Sequence, residues 1–376
     1  MGHGTMETGR PLAPVIVPSS TFVFESQAEV ERYYEAGAGY VYSRYENPTV
    51  RQVEIGLAQL EGADAAACFA SGMAAISTTL LAFVRTGDRI AAQRELYGGA
   101  ADLLASFLPQ LGIEVEPLGL DEIAALEPSR IEGCRLLYLE SPVNPTLRVV
   151  DLRRAAEVAH AAGVRVVVDG TFAPPVLQRP VDLGVDLVVH SATKYLGGHS
   201  DLIGGVVAGH AELVRQIAGR RRALGGILDP FPAFLLLRGI RTLAVRMDAH
   251  CRGASLIARF LAGHPLVRQV YFPGLEDHPD AEVIRRQMTG PGGMVSFTVD
   301  GAEAAWSTHD RLRLFSRAGS LGGVESLVSI PARMSHRYLD RDTRASVGVP
   351  DEMIRLSVGL EDPDDLIEDL DQALRV

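Results

Sequence analysis

Val185-Asp-Leu-Val-Val-His-Ser-Ala-Thr-Lys194-Tyr-Leu-Gly-Gly-His-Ser-Asp201 begins as a short run of Val and Leu and ends on small hydroxyl residues. The apolar half has the pattern of a strand buried on both faces. Directly after it comes Lys194, and then a glycine-rich turn. In an open α/β sheet, ligands bind beyond the carboxyl ends of the strands. A lysine leaving the core at such a point is poorly explained by packing. Partial desolvation would make its amine nucleophilic, and Ser191 and Thr193 offer hydroxyls to an anion. An amine beside an anion seat suits a Schiff base to an aldehyde that also carries a phosphate.

The flanking sequence predicts a sheet of the same kind. Strands are expected over 135–140, 165–169, 187–190 and 205–208. A helix is expected over 151–162, carried by Leu152, Ala156, Val158 and Ala159, with Asp151 as its N-cap. Short β-rich runs joined by helices imply an α/β fold, a mainly parallel sheet sandwiched by helices. The apolar stretch 65–84 is rich in Ala and interrupted by Ser71, Gly72 and Thr78, which reads as a turn and a buried helix rather than a membrane span. A single long helix is expected over 232–261. Beyond it, strand signals at 267–272, 293–299 and 353–358 and a closing helix at 363–374 suggest a smaller α+β C-terminal domain. The expected division is an arm over 1–50 that docks on a neighbouring subunit, a large domain over 51–245 and a C-terminal domain over 246–376.

With 376 residues the chain can bury a sizeable core, and its net charge of −11, with no long Lys/Arg run, argues against a nucleic-acid partner. Its 3 cysteines, Cys68, Cys134 and Cys251, are widely spaced. That argues against a disulfide framework or a metal site and for a reducing cytoplasm. The first residues have no apolar signal region, and no membrane association is expected.

The other candidate residues lie mostly at strand ends. Asp169 closes Arg-Val-Val-Val-Asp and needs a cationic or donor partner in so apolar a setting. A protonated pyridine nitrogen fits, although an isolated Asp there could equally cap a turn. Taken with Lys194, this points to pyridoxal 5'-phosphate (PLP). Ser71-Gly72-Met73 precedes a helix, whose N-terminus is a natural phosphate seat. Tyr97, on a Gly-Gly turn, could stack on a flat ring or simply cover core. Asn144, between prolines, could donate to the cofactor or form a turn. Arg355, alternating with apolar neighbours, needs an anion, either a substrate carboxylate held bidentately or an internal ion-pair partner. Tyr42 and Arg44, two apart on an extended arm, face one side and could grip a phosphate or form a surface stripe.

Taken together, Tyr42-Ser-Arg44, Asn47-Pro-Thr, Ser71-Gly-Met73, Tyr97-Gly-Gly, Glu140-Ser-Pro, Asn144-Pro, Val168-Asp169, Ser191-Ala-Thr-Lys194, Ser320-Leu-Gly-Gly-Val-Glu-Ser-Leu and Arg355-Leu-Ser-Val-Gly resemble the Cys/Met-metabolism family of PLP enzymes. That family includes cystathionine γ-synthase, cystathionine γ-lyase and methionine γ-lyase. The resemblance implies a fold-type I, aspartate-aminotransferase-like subunit in a homotetramer of close dimers with shared active sites. It implies that Lys194 carries the Schiff base, Asp169 pairs with the ring nitrogen and Tyr97 stacks on the ring. Gly72, Met73, Ser191 and Thr193 would hold the phosphate, together with Tyr42 and Arg44 of a neighbouring subunit. Asn144, Ser320 and Arg355 would position the α-carboxylate of a small amino-acid substrate.

The expected activity is PLP-dependent γ-elimination or γ-replacement on a γ-substituted L-amino acid such as a homoserine ester or cystathionine, with Lys194 and Tyr97 as catalytic groups. A β-lyase on cystathionine- or cystine-like substrates is the alternative, and a non-catalytic PLP-binding scaffold the remote one. Some positions depart from the family pattern. The Tyr-Gly-Gly turn continues Ala100-Ala101-Asp102 where Thr-x-Arg is usual, which should disfavour a distal carboxylate on the substrate. Gly170 stands in place of an Asn beside the ring, and Glu46 and Val50 alter the arm. Glu325 follows the cystathionine enzymes. The substrate end is therefore expected to be reworked.

Overall fold

The computed structural model describes residues 11–37, 39–337 and 339–375. The first ten residues of the expected arm lie outside the described residues. The larger of two sheets contains β1 (Ala65–Phe69), β2 (Arg89–Gln93), β3 (Glu114–Leu118), β4 (Cys134–Glu140), β5 (Arg165–Asp169), β6 (Leu187–Ser191) and β7 (Gly205–Gly209). Their order is β1-β7-β6-β5-β4-β2-β3. β2, β3, β4, β5 and β6 pair in parallel, and β7 runs against both β6 and β1. Val166, Val167 and Val168 are fully buried, because helices cover both faces and a strand in that position has no polar side to offer. One layer sets the helices Pro48–Glu61 and Pro230–Ile240 against the sheet, and the other sets Gly72–Phe83 and Ala211–Leu224.

The second sheet comprises β8 (Gln269–Tyr271), β9 (Met294–Thr298), β10 (Ser316–Arg317), β11 (Leu327–Ser329) and β12 (Met353–Ser357), in the order β10-β11-β12-β9-β8. Its pairs are antiparallel except β10 with β11. The helices Leu243–Gly263 and Pro363–Leu374 pack on it through a separate apolar core that includes Ile257, Phe297, Leu356 and Leu370. The expected fold class is the observed one: α/β with a mainly parallel central sheet and an α+β C-terminal part.

Two local expectations change. The stretch read as a turn and helix begins with a strand, β1, before the helix Gly72–Phe83. Ala-Ala-Ala-Cys-Phe has weak β-propensity, and its place is set by pairing with β7. The long helix breaks into Pro230–Ile240 and Leu243–Gly263. At the break, Arg246 donates to the Gly239 carbonyl at 2.8 Å and to the Tyr195 carbonyl at 2.9 Å. Thr242 Oγ1 also donates to Gly239 O at 3.1 Å. Side chains thus satisfy the Gly239 carbonyl, which an unbroken helix would pair internally. Gly239 also lets the backbone at Leu196 and Gly197 pack close to it, since a Cβ there would lie 2.4 Å from the Gly197 carbonyl oxygen. The expected N-cap is present: Asp151 accepts from the Arg154 N–H at the start of Leu152–Ala161.

Candidate active site

Strands β4, β5 and β6 stop at Glu140, Asp169 and Ser191, so three polar side chains leave the sheet at the same edge. β1 and β2 lead toward that edge as well, ending shortly before Ser71 and Tyr97. Together with residues from the second sheet they line a cavity of about 650 Å³. Gly72, Met73, Tyr97, Asn144, Asp169, Ser191, Thr193, Lys194, Ser320 and Arg355 all reach it. Tyr42 and Arg44 do not. Arg44 instead donates to the Arg222 carbonyl at 2.9 Å and lies over the rings of Tyr42 and Tyr45.

Lys194 Nζ donates to Ser320 Oγ at 2.7 Å. Burial, assisted by the positive charge of Arg355, lowers its amine from the ordinary lysine value to about 8. Asp169 is buried, and its Oδ1 accepts the Thr171 N–H at 3.0 Å. Burial raises its carboxyl, against the lowering effect of Thr171. Thr171 Oγ1 also accepts the Ser191 N–H at 2.9 Å, tying the ends of β5 and β6 together.

The helix Gly72–Phe83 opens at the cavity with Ser71 as N-cap, its side chain accepting from Ala74 N–H. Gly72 and Met73 occupy the first two helical positions, whose N–H groups have no acceptor within a helix. A Cβ on Gly72 would lie 2.9 Å from that of Ser191, so this approach requires glycine. Thr193 Oγ1 sits beside Gly204, accepting its N–H at 3.1 Å.

On the opposite wall, Arg355 is buried in β12. Its Nη1 donates to Asn144 Oδ1 at 2.8 Å and its Nη2 to the Ser320 carbonyl at 3.1 Å. Its Nε is buried without a partner. No carboxylate among the described residues forms an ion pair with it, and burial lowers its pKa to about 10. A buried guanidinium that lines a cavity without a carboxylate partner suits an external carboxylate.

Glu140 was not singled out as a site residue from the sequence. Its Oε2 accepts the Tyr97 N–H at 2.7 Å and its Oε1 the Asn144 N–H at 2.8 Å. Burial, with Asp169 nearby, raises its carboxyl to about 8. The signal for it was the one that exposed Asp169, a carboxylate closing an apolar strand. Arg333, Met334 and Arg337 also reach the cavity, and no local pattern marks them. Asp102 and Glu46 are not among the lining residues. Glu46 pairs with Arg51 on the arm side. Gly170 lies against His190, whose Cε1 would be 2.9 Å from an added Cβ.

These residues fit PLP. An amine kept nucleophilic by burial, a buried carboxylate with capacity for an N–H donor, and a helix N-terminus flanked by hydroxyl groups match the aldehyde, pyridine nitrogen and phosphate. Fold and site thus define a PLP-dependent enzyme of the fold-type I class.

The chain belongs to the Cys/Met metabolism PLP-dependent enzyme family, which it matches over residues 2–375. L-methionine gamma-lyase of Pseudomonas putida is 42% identical over 379 residues, spanning 100% of this chain and 95% of that protein. Cystathionine gamma-lyase of Bacillus subtilis is 43% identical over 337 residues, spanning 89% of each. The crystal structure of cystathionine gamma synthase from Xanthomonas oryzae pv. oryzae in complex with aminoacrylate and cysteine superposes with a TM-score of 0.91 at 40% identity, covering 96% of this chain and 92% of that one. No helix among the described residues is long and apolar enough to cross a membrane.

Proposed function

We propose that this enzyme eliminates or replaces the γ-substituent of an L-amino acid. The observation that carries this reading is that one cavity is lined both by Lys194, an amine lowered to about 8, and by Arg355, a buried guanidinium with no ion-paired carboxylate among the described residues. When bound, PLP supplies an electron sink that stabilises negative charge at the carbons next to the substrate nitrogen. Arg355 and Asn144 orient the α-carboxylate, which aims the Cα–H bond toward Lys194. Neutral Lys194 Nζ would take the Cα proton and, once it has handed that proton on and is neutral again, would take one from Cβ. Ser320 Oγ holds that amine between transfers. Tyr97, on its turn above the cavity, donates a proton to the departing γ-group. Asp169 would pair with the ring nitrogen, and Gly72, Met73, Ser191 and Thr193 would hold the phosphate.

Elimination yields a 2-oxo acid and ammonia, whereas replacement couples the same γ-carbon to an incoming nucleophile. The relatives include both lyases and a synthase. Product analysis with O-acetyl-L-homoserine tests the reading. 2-Oxobutanoate, or a γ-adduct when a thiol is added, supports it; turnover confined to β-substituted substrates with pyruvate as product refutes it.

We further propose that Tyr42 and Arg44 serve the phosphate of a neighbouring subunit in a homotetramer of close dimers, located in the cytoplasm. Tyr42 is 39% exposed, and both residues are separate from the cavity of their own chain. In this reading the arm ends near residue 50, the large domain near 245, and the C-terminal domain completes the substrate wall.

A further inference from the structure

Six charged side chains line the cavity: Lys194, Arg333, Arg337 and Arg355 against Glu140 and Asp169. This surplus of positive charge occurs in a chain whose net charge is −11. Under the proposed function most of these groups are committed. Asp169 serves the ring nitrogen, Lys194 moves protons and Arg355 takes the α-carboxylate. Glu140, raised to about 8, is held by two backbone N–H groups. Arg333 and Arg337 remain.

Both are exposed at the mouth of the cavity, and neither forms an ion pair with a carboxylate among the described residues. Their position follows from the second sheet. β11 pairs with β12 so that Ser329 lies opposite Arg355, and the turn Pro331–Arg333 follows directly. The arginines therefore follow directly on the strand that pairs with the one carrying Arg355. Arg333 is held from outside, its guanidinium 4.6 Å from the centre of the Trp306 ring. Asp102, which stands where a basic residue is usual and was expected through that loss to disfavour a distal carboxylate, does not line the cavity.

We infer that Arg333 and Arg337 form a distal anion subsite, so that the preferred amino acid carries a γ-substituent ending in a carboxylate or another anion. This inference rests on the proposed function for the orientation of the substrate, with its α-carboxylate at Arg355 and its far end at the mouth. Planar guanidinium groups match a carboxylate or a phosphate. At a solvent-facing mouth their attraction is screened by salt.

The test is equilibrium binding to the PLP-loaded enzyme of two amino acids without a leaving group, L-2-aminopimelate with a terminal carboxylate and L-2-aminoheptanoate without one. Both are followed through the cofactor's absorbance. The wild type should favour the dicarboxylate by about tenfold at low ionic strength, with the ratio shrinking as salt is added. Arg333→Gln combined with Arg337→Gln should bring the ratio near one, and the matching double Lys variant should restore part of it. Absence of preference in the wild type, or a preference retained in the double Gln variant, overturns the subsite. A terminal phosphonate analogue favoured over L-2-aminopimelate would assign the anion as a phosphoryl group. Because binding is read without turnover, the ratio stands even if homoserine esters prove not to be substrates, a result that would instead overturn the reaction.

Discussion

The amine of Lys194 donates to the hydroxyl of Ser320 at 2.7 Å, although 126 residues separate them in the chain. Ser320 has φ 108°, a region that non-glycine residues rarely occupy. Its carbonyl meanwhile accepts from Arg355. One strained residue therefore sets the distance between the Lys194 amine and the Arg355 guanidinium. Strain of this kind persists where the surroundings over-determine the backbone. Here the buried Arg355 and the strand β12 supply that constraint.

Replacing Lys194 with Ala should lower kcat by at least about 10³-fold, since both the covalent link and the proton carrier are lost. In the wild type, the neutral amine is the reactive form. The rate at which cofactor-free protein recaptures PLP should therefore rise with pH through about 8, not through the ordinary lysine value. Stopped-flow absorbance across pH 6–10 checks this, and a rate still climbing steadily at the top of that range would contradict it.

Arg355→Ala should cost roughly 10- to 100-fold in kcat/KM, mostly through KM, by removing charge-assisted hydrogen bonds to the α-carboxylate. Arg355→Lys keeps the charge but loses the fork, so it should recover only part of the loss. Steady-state kinetics with a single substrate suffice; equal KM values for all three proteins would exclude the assigned role.

Tyr97→Phe keeps the ring but removes the phenolic proton. Its kcat should fall by roughly 10²-fold or more, with a smaller change in cofactor affinity. Tyr97→Ala should weaken the hold on PLP as well. Comparing kcat with a PLP dissociation constant from dialysis separates the two functions of the residue.

Glu140 carries a pH dependence of known sign. Its folded-state pKa, raised from the model-peptide range of 4.5 to about 8, means the folded protein binds a proton there that the unfolded chain releases. Its contribution to stability is greatest below about 4.5 and is lost as pH rises toward 8. In the cofactor-free protein, Glu140→Gln should remove a loss on the order of 3 kcal/mol between pH 5 and 8. Urea unfolding at both pH values measures it, and an unchanged slope in the variant would assign the pH dependence elsewhere.

Away from the cavity, Arg221 Nη1 donates to Glu54 Oε1 at 2.8 Å, and the Cys68 N–H donates to the same oxygen at 3.0 Å. Both side chains of the ion pair are about 6% exposed. Arg221→Met leaves the buried Glu54 carboxylate with only the Cys68 N–H and, at 4.0 Å, the half-exposed Arg51, and should destabilise the protein by about 3 kcal/mol. Changing both residues to apolar ones should cost much less, which a double-mutant cycle in urea would show.

Several parts of the site were legible in the chain because their signals are local. Val166-Val-Val-Asp169 shows a buried strand ending on a charge, Ser71-Gly-Met73 shows a capped helix start, and Arg355 sits among apolar neighbours. β1 was missed because five residues, mostly Ala, have neither period 2 nor strong β-propensity; antiparallel pairing with β7 places them in the sheet. The break after Ile240 was missed because Arg246 acts on it through carbonyls at Gly239 and Tyr195. Arg333 and Arg337 look in the sequence like any solvated arginines.

Periodicity, caps and strand-end chemistry are properties of neighbouring residues, so β4, β5, β6 and β7, the α/β class and the need for PLP could be read directly from the chain, whereas β1, β2 and β3 could not. Which side chains meet across the cavity could not. Asn144 and Arg355 are 211 residues apart, and their 2.8 Å contact exists because two separately cored sheets face each other over one cleft. Strand order, the register of β11 on β12 and the pairing of buried charges depend on long-range packing. That packing turned Glu140 from one residue of a motif into the bridge between Tyr97 and Asn144, and it left Asp102 outside the cavity lining.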